Sequence, residues 1–264
     1  MSDVPVCIDI SHHQGYPDFD EVFAAGVLGI IHKVSEGTSF IDSARAENCA
    51  NAKAADIAVA TYHWLSPGSN PTEQMEFYLS LLDPVKGERV VIDYEQDGCT
   101  VAMLHDAVAV LLDYRHDLQI TVYSGHLLKE QLGSGCDDFL REHTDLWLAE
   151  YQSDSTIDDI SWPEGTYRDW TLHQYSETGE VTGINDAYVD LDRFNGEAAQ
   201  FLKWINPAGA NPPLSPDQPE PDASMVNVSI TAPEHVQVRI SVNGIARRRW
   251  IRRKVKRGPD LPVR

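Results

Sequence analysis

Eight short apolar runs in the first 205 residues set the strongest limit on what this chain can fold into. They cover residues 6–10, 28–34, 58–65, 90–94, 120–123, 146–149, 170–175 and 188–191. Several are near-continuous and rich in Val and Ile, with no polar alternation. A strand that is apolar at successive positions is buried on both faces, as in a parallel sheet covered by helices. Helix-like stretches fill the gaps between the early runs, at 18–25, 43–55, 72–82, 101–115 and 126–132. After residue 145 the runs follow one another with little helix between them. Eight strands and about five helices predict an α/β fold, a modified β/α barrel whose last third has lost some of its helices.

The pattern changes after residue 205. Pro207, Pro212, Pro213, Pro216, Pro219 and Pro221 crowd into 206–224 without a hydrophobic period, which reads as a semi-rigid linker. Residues 226–230 and 236–242 then alternate at period two, as in a hairpin. The expected organisation is a catalytic barrel over 1–205, a linker over 206–224 and a small β-rich basic appendage over 225–264. The appendage differs electrically from the rest. Residues 245–264 hold nine Lys or Arg and one acid, whereas the whole chain carries 21 bases, 41 acids and a formal charge of −20. An acidic body and a basic tail are two electrostatic objects.

Several classes are excluded or disfavoured. No run approaches the ~20 apolar residues that span a bilayer. The start, MSDVPVCIDIS, lacks the basic and apolar regions of a secretory leader, so synthesis in the cytoplasm is expected. Cys7, Cys49, Cys99 and Cys136 form no C-x-x-C pair and read as reduced, mostly buried thiols. Ten histidines include no H-E-x-x-H or H-x-x-x-H helix spacing, so no metal or other cofactor is expected. Ser124 lacks a G-x-S-x-G elbow.

The chemistry is carried by acids at strand ends. Val90-Val-Ile-Asp-Tyr-Glu95 ends a buried strand with two carboxylates two residues apart, on one face of the sheet. Neighbouring carboxylates repel, so one should keep its proton near neutral pH. One acid plus one anion is what glycosidic cleavage requires. A D-x-E pair alone equally suits a strand end bound to backbone N–H groups. Asp9 ends the first run, however, and Asp190 and Asp192 lie on the last. First and last strands of a closed barrel are neighbours, so Asp9 and Asp190 are expected to line the same mouth as Asp93 and Glu95. Tyr62, Trp64, Tyr123, Trp147, Tyr151 and Tyr175 also gather at strand ends. Aromatic faces there suit stacking on sugar rings, although core packing explains any one of them.

The ordered set of motifs resembles the family-25 glycoside hydrolases, the Chalaropsis-type lysozymes or N-acetylmuramidases. The matching segments are Ile8-Asp9-Ile-Ser11 with Gln14-Gly15, His32 to Thr38 with Asp42, Ala60 to Trp64, Val91 to Glu95, Val122-Tyr123-Ser124, Leu146 to Tyr151, His173-Gln174 and Val189 to Gly196. The resemblance implies cleavage of the β-1,4 bond between N-acetylmuramic acid and N-acetylglucosamine in peptidoglycan, with retention. It implies Glu95 as general acid and Asp93 as nucleophile or as the group orienting the substrate's acetamido oxygen. Asp9 and Asp190 match the surrounding acids, and Tyr62, Tyr123, Trp147 and Gln174 match cleft-lining positions. Glu36 and Asp192 are further substrate-binding candidates. The family often has Asn at 192, which leaves open whether Asp190 or Asp192 faces the cleft, and Phe or Tyr at 64, a departure of little cost.

The alternatives are a chitinase-type glycosidase and a non-catalytic cell-wall-binding barrel. For the bases from Arg247 to Arg257 three readings stand: a solvated arm, an anchor for anionic envelope (lipopolysaccharide, lipid or teichoic acid), and a nucleic-acid contact. Trp250, Ile251 and Val255 among the bases favour the envelope, and no specific nucleic acid is expected. A monomer is expected. A wall-cutting enzyme without a leader suggests a phage endolysin, released from the host cytoplasm by a separate membrane-permeabilising partner.

Overall fold

The computed structural model describes residues 6–151, 160–184 and 188–207. The expected linker beyond residue 207, the appendage and the basic tail lie outside the described residues. Nine strands form in the described part. They are β1 Cys7–Ile10, β2 Gly29–Glu36, β3 Phe40–Ile41, β4 Ala58–Trp64, β5 Arg89–Asp93, β6 Gln119–Ser124, β7 Thr144–Ala149, β8 Leu172–Gly179 and β9 Val189–Phe194. All eight expected strands are present; the two-residue β3 is additional.

The five expected helices are α1 Phe19–Ala24, α2 Arg45–Ala54, α3 Pro71–Leu82, α4 Val101–Tyr114 and α5 His126–Leu132. Their ends carry ordinary caps. Asn70 accepts the Thr72 amide at the start of α3, where Pro71 takes the first helical position. Thr100 accepts the Met103 amide at the start of α4. Two further helices were not expected. α6 (Asp138–His143) has only six residues and one buried side chain, too few to show a period. α7 (Ala198–Ile205) follows the last strand and buries Phe201 and Ile205.

The strands run in the order β1-β9-β8-β7-β6-β5-β4-β2-β3, and a further β1–β2 pairing closes eight of them into a barrel. β1, β2 and β4 to β8 are mutually parallel. β9 is antiparallel to both its neighbours. Its direction follows from chain length. A parallel neighbour needs a crossover of about a dozen residues or more, and only nine separate β8 from β9.

Alternation along β5 shows how the barrel is layered. Val90, Ile92 and Tyr94 point outward into a core with Met75 and Tyr78 of α3 and Leu104 and Val108 of α4. Val91 points inward to meet Cys7, Ile31, Ala60 and Leu172. α7 plugs the N-terminal end of the barrel, with Phe201 and Ile205 in this same inner cluster. A Cβ at Gly29 would lie 2.7 Å from both the Phe201 ring and the Ile205 methyl, so this approach requires glycine. Truncating Phe201 to Ala would cost about 3–5 kcal/mol. All four cysteines are free. Cys7 and Cys99 are buried, Cys49 is half-buried and Cys136 is exposed.

Candidate active site

The C-terminal ends of the parallel strands open on a cleft of about 250 Å³. Asp9, Tyr62, Trp64, Asp93, Glu95, Tyr123, Trp147, Tyr151, Gln174, Glu177 and Asp190 line it. Eight of the ten residues expected at the site therefore share one cleft. The other two do not line it. Glu36 pairs with Lys33 at 2.8 Å beyond the cleft. Asp192 lies below Asp190 on the same face of β9, fully buried, and accepts a 2.8 Å bond from the Trp147 indole.

Asp93 closes β5, and Glu95 follows after the outward-pointing Tyr94. The backbone around them is fixed on both sides. The Asp93 carbonyl accepts the Leu65 amide at 2.9 Å, and the Tyr94 amide donates to the Tyr123 carbonyl at 2.8 Å. Gln131 of α5 holds the following loop. Its side-chain oxygen accepts from the Tyr94 hydroxyl at 2.7 Å and the Val101 amide at 3.0 Å, and its nitrogen donates to the Cys99 carbonyl at 2.9 Å. Nothing in the local sequence marks Gln131, because the partners it joins are some thirty residues away.

Burial dominates the electrostatics. It pushes Asp93 well above the ordinary carboxylate range, and the nearby Glu95 charge raises it further. Glu95, half-buried, is also raised, by burial first and then by Asp190. Asp93 Oδ1 is buried with no hydrogen-bond partner among the described residues.

Opposite this pair, β1 and β9 place Asp9 directly across from Asp190. Burial, then Asp190 and Asp192, raise Asp9 strongly. Asp190 rises to about 6, mainly through burial, with Asp9 lowering it and Glu177 raising it. Gln174 orients this side. Its amide nitrogen donates to Asp9 at 2.6 Å, while its oxygen accepts from Tyr123 at 2.7 Å and Tyr151 at 2.6 Å. The Tyr123 and Trp147 rings pack edge to face, with their centres 4.7 Å apart.

Trp64, Tyr151 and Glu177 line the cleft beyond the assigned set. The two aromatics were visible as strand-end rings. Glu177 carried no signal, because its inward direction depends on a register shift in β8 between Gln174 and Ser176. An extra residue there changes which side chains face the barrel interior.

Comparison with known proteins gives the family. The sequence model for glycosyl hydrolases family 25 matches residues 8–184. An autolytic lysozyme of Clostridium acetobutylicum is 29% identical over 193 residues, 71% of this chain. The match spans 55% of that relative, so this chain corresponds to about half of it. Lysozyme M1 of Streptomyces globisporus is 26% identical over 215 residues, covering 75% of this chain and 70% of the relative. The crystal structure of a bacterial lysozyme from Streptomyces coelicolor superposes with a TM-score of 0.67 at 26% identity, covering 76% of this chain and 97% of that one. With more than half its length matched by the family model, the chain belongs to glycosyl hydrolases family 25.

Proposed function

We propose that this chain is a lysozyme, an N-acetylmuramidase that hydrolyses the β-1,4 bond between N-acetylmuramic acid and N-acetylglucosamine in bacterial peptidoglycan. The observation that carries this is the Asp93–Glu95 pair, both raised in pKa, in an aromatic-walled cleft. Glu95 is the more exposed of the two and acts as general acid. A sugar over it removes the remaining water and raises its affinity for the proton further. The protonated carboxyl gives that proton to the glycosidic oxygen as the C–O bond breaks. The resulting Glu95 carboxylate then takes a proton from the water that completes hydrolysis, with net retention.

Asp93 takes one of two roles, nucleophile or orienting group for the substrate's acetamido oxygen. Burial raises its proton affinity, which weakens it as a nucleophile and favours the second. Asp9 and Asp190 keep the opposite wall negative as positive charge develops on the sugar. Tyr62, Tyr123, Trp147 and Gln174 shape the cleft. Asp192 acts from below by fixing Trp147.

The test is mass spectrometry of a peptidoglycan digest. Fragments ending in reducing muramic acid are expected. Reducing glucosamine ends or released peptides would identify a different specificity.

For the whole protein we read a monomer that lyses a bacterial host from within, made in its cytoplasm, with the bases from Arg247 to Arg257 engaging anionic envelope. Removing residues 208–264 should weaken clearing of intact cells far more than hydrolysis of soluble fragments. Equal clearing of intact cells would remove the targeting role.

A further inference from the structure

A buried polar network stands behind the cleft wall that β2 and β4 form. Ser35 of β2, His63 of β4 and Gln74 of α3 are fully buried. The Gln74 amide nitrogen donates to the Ser66 carbonyl at 2.8 Å and the Ser69 carbonyl at 3.0 Å. Its oxygen accepts from the Ser66 amide at 2.8 Å and lies 3.3 Å from His63 Nε2. Nε2 therefore carries the imidazole proton, and Nδ1 accepts from the Ser35 hydroxyl at 2.8 Å. Burial pushes His63 down to about 4, so the ring is neutral at neutral pH and keeps this pattern. Of the charges that face it, Lys33 lowers it further and Glu36 raises it.

The network sits at an irregularity in β2. Lys33 lies opposite Tyr62 and Glu36 opposite Trp64, but the register shifts between them, so Ser35 rather than Val34 lies opposite His63. Side chains opposite one another on paired strands point to the same side. Lys33 and Glu36 therefore face the side of Tyr62 and Trp64, which line the cleft. Val34 and Ser35 both face away, Val34 into the outer core. In a regular strand, residues three apart point to opposite faces. The shift is what lets Lys33 and Glu36 meet at 2.8 Å. Held there, the Lys33 ammonium stands 4.9 Å from the ring centre of Trp64, and Trp64 is the register neighbour of Asp93.

We infer that Ser35, His63 and Gln74 are positioning residues: by holding the register shift in β2 they aim Lys33 at the Asp93–Glu95 pair. Three observations carry the inference. The network grips Ser35, the residue just after the shift. The shift alone puts Lys33 and Glu36 on one side, and shifts beside active sites re-aim side chains in this way. The Lys33 charge acts on both acids and opposes the effect of burial on each. The catalytic task of the two acids rests on the muramidase reading; the link from Ser35 to Lys33 does not.

The test is carbon-13 NMR titration of the Asp93 and Glu95 carboxyls in the intact protein. Lys33→Met should move both transitions upward, because a nearby positive charge favours carboxylates. Ser35→Ala should move them the same way by less, and Ser35→Thr, which keeps the hydroxyl, should leave them where the parent has them. In a Lys33→Met background Ser35→Ala should add nothing, since the group it positions is gone. His63→Phe removes the acceptor instead of the donor and reads the same link if Ser35→Ala does not fold. Unmoved transitions in Lys33→Met, or in both the Ser35→Ala and His63→Phe proteins, overturn the inference. So does a Ser35→Ala shift of the same size with and without Lys33, because the network would then act by another route. Hydrolysis of peptidoglycan by the unmodified protein is scored separately. Failure to cut it sinks the muramidase reading and leaves the titration result standing.

Discussion

Arg89 and Asp93 sit on the same face of the same strand, four residues apart, and the barrel treats them in opposite ways. Both are almost fully buried. Arg89, at the closed end, has its charge satisfied. Its guanidinium donates to Asp145 at 2.8 Å, to the Thr121 hydroxyl at 2.6 Å and to the Trp204 carbonyl at 2.6 Å, and lies 4.1 Å from the Trp204 ring centre. The Trp204 indole in turn donates to Asp145 at 2.9 Å. Asp93, at the open end, shares its surroundings with four other acids. Among the described residues no Lys or Arg forms an ion pair with Asp9, Asp93, Glu95, Asp190 or Asp192. Desolvating a charge is costly unless it is paired. The closed end meets that cost with partners and locks α7 to the barrel. The open end meets it only in part, through the charge of Lys33 near Asp93 and Glu95, and burial raises the proton affinity of the acids there. One end is built for stability, the other for proton transfer.

If this contrast is right, substitutions at the two ends should move different observables. The largest effect belongs to Glu95→Gln. It should lower turnover on purified peptidoglycan by about 10²–10⁴-fold, equivalent to about 3–5 kcal/mol of barrier, with the fold intact. Clearing at the parent rate would erase the distinction. At the closed end, Arg89→Ala should cost about 1–3 kcal/mol of stability in denaturant titration, because it leaves the Thr121 hydroxyl and the Trp204 carbonyl without their buried donor, while Asp145 stays half-exposed and bonded to the Trp204 indole. Activity per folded molecule should persist. A loss of turnover without loss of stability would show that the closed end also serves the reaction.

The fold was legible where burial imposes a period. All eight barrel strands showed as apolar runs, most of them because helices cover them outside and the packed interior covers them within; β8 and β9 are only partly buried. α6 was too short to signal, and α7 follows the last strand, where no barrel pattern required a helix. At the site, Asp93, Glu95, Asp9 and Asp190 were visible because acids at the ends of apolar strands are anomalous. Glu177 was not, because a register shift sets its direction. Gln131 was hidden for a different reason: the groups it joins lie some thirty residues away in sequence.

The smallest effect tests the open end through pH. A carboxyl raised in the folded state binds its proton more tightly folded than unfolded, so stability falls as pH rises above the ordinary carboxylate pKa. For Asp190 the fall runs from about 4 to about 6. Asp9, Asp93 and Asp192, raised well above their ordinary value, extend it upward. Asp192→Asn removes one such acid and leaves an oxygen for the Trp147 indole. Thermal unfolding should show this variant more stable than the parent at pH 8, by on the order of 1 kcal/mol, and nearly equal at pH 4. A variant less stable at pH 8 would mean that Asp192 is ionised and stabilising.

The central claim is that the Asp93–Glu95 pair keeps a proton where ordinary carboxylates have lost theirs. Carbon-13 NMR titration of the side-chain carboxyls, assigned with Asp93→Asn and Glu95→Gln, measures this directly. At least one proton should leave the pair well above the ordinary carboxylate range of about 4, and removing Glu95 should lower the Asp93 transition. Both groups ionising within the ordinary range, each indifferent to loss of the other, would contradict it.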